Sequence, residues 1–296
     1  MQIAVDGLID PQGEQAFIFT MEDFKAETVA DLFGFEWLGG RFTTTLLMTG
    51  SARNPEFSGT ASLYDFTSDG EPVGSIDIRL DYADERLDLE ARLDHISGKA
   101  MTARGHVPLH FSLADVGDDG IPSITEAADA DEVSLAIRAD SFQVGWIEPF
   151  LNPRSYTDVA GILNADLTVD GTQADPRLKG RARLEDGRLG LGFTGRVLET
   201  LSASIRFIGN EVIIRSAVLT DADGNERMTA EGVVTLQKLS LGELDIRLVP
   251  HRLLAMETPT YDGLVIDQGA DTLRLTGTLA NPVIRGTRSS DQQTST

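Results

Sequence analysis

The amino-acid sequence predicts an all-β fold that is built from repeats. Three observations predict it: long stretches of alternating apolar and polar residues, a turn motif that occurs three times, and only short stretches with helical spacing. Strict alternation is typical of strands with one buried face, because successive side chains point to opposite faces of a sheet. Recurrence at a regular period is typical of repeat architectures.

Two predicted hairpins carry the alternation, one with a turn at 83–86 and one with a turn at 208–211. Each leads into a similar segment, MTARGHVPL at 101–109 and MTAEGVVTL at 228–236. Because loop length and register match, the hairpins are predicted to be copies of one unit. The positions predicted to share one face are Ile76, Ile78, Leu80, Tyr82, Leu87, Leu89, Ala91 and Leu93 in the first hairpin, and Leu201, Ala203, Ile205, Phe207, Val212, Ile214, Ser216 and Val218 in the second.

The repeated turn motif has the template Gly-[Ser/Thr]-x-x-[Asn/Asp]-Pro-x-apolar-x-Gly. Proline fixes φ and pushes its predecessor into extended geometry, so the motif predicts a sharp reversal between two strands. Its last glycine falls on the apolar face, where it would leave space or permit strand curvature. Such a motif shapes a sheet and performs no chemistry. Its positions are Gly50, Asn54, Pro55 and Gly59, then Gly171, Asp175, Pro176 and Gly180, then Gly277, Asn281, Pro282 and Gly286.

The spacing of the motifs divides the chain into repeats. Gly50, Gly171 and Gly277 predict repeats at about 1–59, 60–180 and 181–288, with a disordered tail at 289–296. A short amphipathic helix is predicted before the first two motifs, at 20–35 and 140–151, and a weaker one at 250–259. An acidic loop with Gly and Pro is predicted at 114–133.

Composition limits the partners. The 296 residues carry a net charge of −22, which argues against nucleic acid and against attraction to anionic membrane surfaces. There is no cysteine, so thiol chemistry and cysteine-based metal sites are excluded. No stretch reaches 18 apolar residues and the start lacks a signal-peptide pattern, which predicts that an exported form would belong to a longer chain.

Catalytic patterns are weak, and the sequence predicts neither an enzyme nor a cofactor. GLGFTG at 190–195 matches a dinucleotide fingerprint, but the chain continues into strand alternation where a helix is required. His106 and His110 have no third metal ligand nearby, and DADGNE at 221–226 departs from a calcium loop in the place of its glycine. Ser97 and Ser123 lack the setting of a hydrolase nucleophile.

The motif, the hairpins and the short helix before each corner resemble the repeating β units of TamB and the wider AsmA-like, bridge-like lipid-transfer proteins. The resemblance covers about residues 1–288 and is clearest in the segments 135–191 and 205–236. It implies an elongated, curved antiparallel sheet forming an open hydrophobic groove, or β-taco. It also implies a periplasmic, inner-membrane-anchored protein with an outer-membrane barrel partner, here within a longer chain. The sequence departs from whole TamB proteins by lacking a membrane anchor and a barrel-docking segment.

The resemblance implies a conduit for phospholipid acyl chains, working in envelope and outer-membrane biogenesis or in protein assembly and secretion. Periodicity alone favours a closed β core, so a structural or protein-binding β-solenoid stays open as the alternative. A glycan-binding protein would need clustered exposed aromatics, and the chain has only two Trp and four Tyr. The residues expected to line the groove are Ile76, Ile78, Leu80, Leu87, Leu89, Ile205, Phe207, Val212 and Ile214.

Overall fold

The fold was analysed in a computed structural model of the chain. The structure describes residues 2–8, 10, 13–30, 38–68, 70–98, 100–116, 122–125, 128, 130–145, 148, 156–191, 196–220, 227–252, 256–258, 261–264, 272–278 and 281–287.

The described residues are almost entirely strand, which confirms the predicted all-β class. The described residues include one α-helix, α1 (Ala26–Ala30). The strands are β1 (Gln2–Leu8), β2 (Ala16–Lys25), β3 (Leu38–Gly50), β4 (Pro55–Ser68), β5 (Glu71–Ala83), β6 (Arg86–His95), β7 (Ala100–Pro108), β8 (His110–Val116), β9 (Pro122–Thr125), β10 (Glu132–Gln143), β11 (Tyr156–Thr172), β12 (Pro176–Leu191), β13 (Arg196–Gly209), β14 (Glu211–Thr220), β15 (Arg227–Gln237), β16 (Ser240–Arg252), β17 (Met256–Thr258), β18 (Tyr261–Leu264), β19 (Thr272–Thr278) and β20 (Asn281–Thr287).

Sixteen of these strands form one antiparallel sheet in nearly sequential order. The order is β1-β2-β3-β4-β5-β6-β7-β10-β11-β12-β13-β14-β15-β16-β19-β20, while β8 pairs with β9 and β17 with β18 in separate two-stranded sheets. Neighbouring strands are joined mainly by short turns, so most strands pair with the next strand in the chain, while β7 pairs with β10 and β16 with β19. This up-and-down order is typical of local hairpin formation.

Contacts divide the chain into two compact units. Unit 1 comprises Met1–Phe142 and Thr168–Pro176, and unit 2 comprises Gln143–Leu167 and Arg177–Thr296. In each unit the apolar side chains of one sheet face provide the contacts between neighbouring strands.

All three copies of the turn motif lie at hairpins, β3–β4, β11–β12 and β19–β20. In each copy the hydroxyl of the second motif residue accepts a hydrogen bond from the backbone N–H three residues later. The pairs are Ser51 and Asn54, Thr172 and Asp175, and Thr278 and Asn281, each at 3.2 Å. A hydroxyl that holds the turn in this way explains why the motif requires Ser or Thr.

The last glycine of the second copy allows a close backbone approach. Gly180 lies on the apolar face of β12 with φ +129°, and a Cβ there would overlap the carbonyl oxygen of Asp166. Gly59 pairs with Leu80 and Gly286 with Leu273, also on the apolar face.

Among the described residues, the first predicted helix is shorter than expected and the other two are not formed as α-helices. Phe24 belongs to β2, so the first helix starts at Ala26, and residues 31–37 lie outside the described residues. Phe142 belongs to β10, with helical backbone only at 144, 145 and 148 among the described residues that follow. At 250–259, Pro250–Arg252 end β16 and Met256–Thr258 form β17. Strand pairing continues through these segments because their ends remain hydrogen-bonded to neighbouring strands.

A β-bulge corrects the predicted face of β14. Ile214 pairs with Gly232 but Ala217 pairs with Ala230, so Arg215 and Ser216 occupy the irregular step. Ala217 is therefore buried and Ser216 exposed, the reverse of strict alternation.

The first motif glycine provides a test of the corner. Gly50 and Gly70 both have φ +82°, but a Cβ on Gly50 would stand 2.6 Å from the Asn54 carbonyl oxygen, whereas nothing lies within 4 Å of one on Gly70. Gly50→Ala should lower the free energy of unfolding by about 2–3 kcal/mol and Gly70→Ala by about 1 kcal/mol, since only the first adds a clash to the cost of positive φ. Urea denaturation of both variants checks this, and equal losses would contradict the proposed turn geometry.

Candidate functional site: the apolar face of the sheet

In unit 1 the apolar residues of neighbouring strands stand directly opposite one another. Ile78 pairs with Ala61 on one side and Ala91 on the other, and Leu80 pairs with Gly59 and Leu89. The same register continues through β3, β7 and β10 and produces two middle rows across the sheet. These middle rows are Thr44, Ala61, Ile78, Ala91, Ala103 and Ile137, and Leu46, Gly59, Leu80, Leu89, Gly105 and Leu135.

Every residue of the two middle rows is half-buried. Toward the ends of the strands the same face is closed, since Phe66 is 3% and Tyr82 4% exposed. A second layer packed on the middle rows would bury them as fully as these end residues. In the middle of the face, side chains therefore pack against side chains of neighbouring strands. Their outer surfaces remain accessible to solvent.

Strand β8 covers one end of the apolar face in unit 1. The Phe111 ring meets Phe57 edge-on at 5.9 Å, and Phe57 stacks on Tyr82 at 4.6 Å. The Tyr82 hydroxyl donates to the Leu109 carbonyl oxygen and accepts from the Phe111 N–H, each at 3.1 Å. Burial raises the pKa of Tyr82 above its ordinary value of 10.0. This end is fixed by rings and hydrogen bonds together.

Unit 2 has an apolar face of its own, with a buried cluster. Val212, Val234, Leu236 and Leu244 form a buried cluster, with Ile205, Phe207, Ile214, Ile246 and Leu275 packed against it. A cross-strand row of this face remains accessible, because all its residues are half-buried except Ile284, which is exposed at the sheet edge. That row is Ile205, Ile214, Gly232, Ile246, Leu275 and Ile284.

The opposite face of the sheet in unit 1 is polar, and opposite charges face each other across β5, β6 and β7. Glu90 of β6 stands between Arg79 of β5 and Arg104 of β7, and it accepts a hydrogen bond from Arg104. That hydrogen bond holds the pKa of Glu90 below its ordinary value. A charged face of this kind remains hydrated, so unit 1 has one wet and one apolar side.

The nine residues predicted to line a groove all lie on the apolar faces. Ile76, Ile78, Leu80, Leu87 and Leu89 are half-buried in unit 1, as are Ile205, Phe207 and Ile214 in unit 2, whereas Val212 is buried at 9% exposure. Sequence reasoning missed the contributions of β3, β7 and β10, although the alternation LAIRA at 135–139 is a signal for the last of these strands.

The rejected chemical motifs lie on strands and turns. After Gly190, at the end of β12, residues 192–195 lie outside the described residues, and the chain continues as strand β13 where a dinucleotide site needs a helix. His106 lies on β7, and His110 on β8 contacts Glu85 at 2.9 Å. Ser97 lies in the turn after β6 and Ser123 in β9, while 221–226 lie outside the described residues. Among the described residues, no three His, Asp or Glu side chains are grouped to hold a metal ion.

Comparison with protein-family models, with curated proteins and with solved structures finds no match to this chain. In the described part of the chain, no helix is long and apolar enough to cross a membrane. The candidate site therefore depends on the geometry of the apolar faces alone.

Two leucines of the apolar face in unit 1 test whether its middle is uncovered. Leu63 is 8% exposed near the end of β4, and Leu80 is half-buried in the middle of β5. Leu63→Ala should lower the free energy of unfolding by about 3 kcal/mol and Leu80→Ala by about 1 kcal/mol. The difference is expected because the Leu80 side chain buries less surface and its removal leaves a cavity that is open to water. Chemical denaturation measures both, and equal costs would indicate that a second layer covers Leu80.

The Tyr82 hydroxyl predicts a pH-dependent contribution to stability. Since its pKa is raised in the folded state, the stabilisation is fully present below pH 10.0 and is lost as the pH rises through the raised pKa. Tyr82→Phe should lower the free energy of unfolding by about 1 kcal/mol at neutral pH and make stability fall less steeply in alkali. Denaturation as a function of pH checks this, with the exposed Tyr64→Phe as control. A variant that kept the wild-type alkaline slope would contradict it.

Proposed function

We propose that the chain is a non-enzymatic conduit for phospholipid acyl chains, working in the cell envelope between two membranes. The observation that carries the proposal is the accessible middle of the apolar face in unit 1, where two cross-strand rows are half-buried throughout. Such a face is costly in water, and hydrocarbon laid against it removes apolar surface of both partners from solvent.

The free-energy cost of moving an acyl chain through water without a conduit is large. An acyl chain of about 16 methylenes costs on the order of 13 kcal/mol to expose to water, at about 0.8 kcal/mol for each methylene. A wall of aliphatic side chains that follows the cross-strand rows can replace much of the lost hydrocarbon contact. Because the contact is non-directional, it favours tails of many kinds and needs no dedicated headgroup site.

The resemblance to TamB and AsmA-like proteins supports a cellular location for this conduit. By that resemblance, the chain acts in the periplasm as part of a longer protein anchored in the inner membrane, with an outer-membrane barrel protein as partner. The work it supports is envelope and outer-membrane biogenesis, including protein assembly or secretion.

The conduit is tested by photo-crosslinking at adjacent residues that point to opposite faces. A photoreactive residue at Ile78 or Phe207 should capture phospholipid from vesicles, whereas one at Arg79 or Arg206 should capture little, since the second pair points to the polar face. Mass spectrometry of the labelled chain measures the yield. Equal yields on both faces, together with a native mass spectrum free of lipid, would exclude transport.

A structural or protein-binding role is the second candidate, and the outermost strand favours it. Strand β1 is the first strand of the sheet and is exposed along its whole length. A free strand edge is a template for pairing with a strand from another protein. In that case vesicle lipids would not be captured, and crosslinks from Gln2–Leu8 would reach protein instead.

A further inference from the structure

The polar face of unit 2 has a cluster of arginines that the lipid pathway does not use. Arg215, Arg247, Arg274 and Arg285 come from β14, β16, β19 and β20 and line a concavity of about 950 Å³, and we call them the arginine row. Of the carboxylates in the described part of the chain, two line the same concavity, Glu231 and Asp245. Four positive charges therefore face two negative ones, in a chain whose net charge is −22.

The register places like charges directly opposite each other. Arg247 pairs with Arg274 across β16 and β19, and Arg274 pairs with Arg285 across β19 and β20. At about 4.8 Å for each strand step, three guanidinium groups start from backbone positions within about 10 Å of one another. Like charges directly opposite on a sheet are destabilising, so this arrangement costs stability that a sequence of mixed charges would avoid.

Unit 1 shows the ordinary arrangement for comparison. There Arg79, Glu90 and Arg104 alternate in sign across three neighbouring strands. The charges across these three strands of unit 1 alternate in sign, whereas Arg247, Arg274 and Arg285 of unit 2 carry equal charges on three neighbouring strands.

The carboxylates of the concavity satisfy only part of the arginine row. Arg274 donates two hydrogen bonds to Asp245, at 2.7 and 2.6 Å, and Arg247 reaches Glu231 at 3.4 Å. The hydrogen bond from Arg274 lowers the pKa of Asp245, which therefore stays ionised and holds Arg274 in place. Within the described residues, neither Arg215 nor Arg285 makes an ion pair. These two guanidinium groups have all their donors available at the margins of the concavity.

We propose that the arginine row binds a phosphate-bearing anion. The planar guanidinium fork matches two phosphate oxygens at once, and several forks in one row suit a ligand with more than one negative charge. Thr272 and Thr276 line the same concavity, where the Thr272 hydroxyl accepts from Arg247 at 3.5 Å and the Thr276 hydroxyl donates to the Val283 carbonyl oxygen at 3.4 Å. The phosphate belongs either to a free polyphosphate or to a lipid headgroup. Within unit 2 this site and the apolar face lie on opposite sides of the sheet, so the failure of one leaves the other intact.

The test titrates the full chain with tripolyphosphate by calorimetry at low salt, and separately with vesicles of phosphatidylcholine with and without phosphatidylglycerol. Arg285→Gln should weaken tripolyphosphate binding about tenfold, because one charged fork is lost. Arg104→Gln is the matched control, since Arg104 is a strand arginine of the polar face in unit 1, and it should leave binding unchanged. Added NaCl should weaken binding, since the site is exposed to solvent.

The outcomes separate the two phosphate sources. Binding of tripolyphosphate without vesicle binding assigns the site to a free anion. Vesicle binding that requires phosphatidylglycerol and is lost in Arg285→Gln assigns it to a headgroup. A melting temperature equal to or above that of the parent chain shows that Arg285→Gln folds, because the substitution relieves the opposition to Arg274. If neither phosphate source binds, or if Arg285→Gln and Arg247→Gln both bind as the parent chain does, the proposal is wrong.

Discussion

The structure depends on cross-strand register, by which the apolar residues of one sheet face stand opposite one another on neighbouring strands. Register in an antiparallel sheet is all-or-none, since a slip by one residue would turn every aliphatic side chain of a strand into water and bring its charges inward. Ile78 between Ala61 and Ala91 illustrates the result. Packing is obtained sideways, along the sheet, so a single layer can hold together while its apolar middle stays accessible.

At the ends of the strands, ring contacts and turn hydrogen bonds add to the packing that register provides. At one end of unit 1, β8 closes the apolar face with the Phe57, Tyr82 and Phe111 rings, and the corner motif turns the chain with a side-chain hydroxyl at Ser51. The charged opposite face disfavours stacking of two sheets on that side. An accessible apolar middle between closed ends is thus a consequence of where aromatic residues and charges stand in the sequence.

Local patterns made the sheet predictable, and contacts between distant segments made the rest unpredictable. The hairpins around Asp84 and Asn210 followed from alternation, and the corners from the Asn/Asp-Pro motif. The acidic composition of 114–133 hid β8 and β9, whose pairing depends on tertiary contacts. Helical spacing at 22–33 was overridden up to Lys25 by pairing of β2 with β3. The arginine row was invisible because Arg215, Arg247, Arg274 and Arg285 come from four separate strands, and only register brings them together.

A sheet ordered mainly by nearest neighbours in sequence has mechanical consequences. Since most strands contact only the strands beside them, the loss of β1 or β20 removes one ladder of hydrogen bonds and leaves the interior ladders intact. Unfolding of such a layer proceeds from its margins by fraying, and amide exchange slows strand by strand toward the interior of each unit. Strand pairing can therefore be lost at either margin of the sheet while the interior strands remain paired.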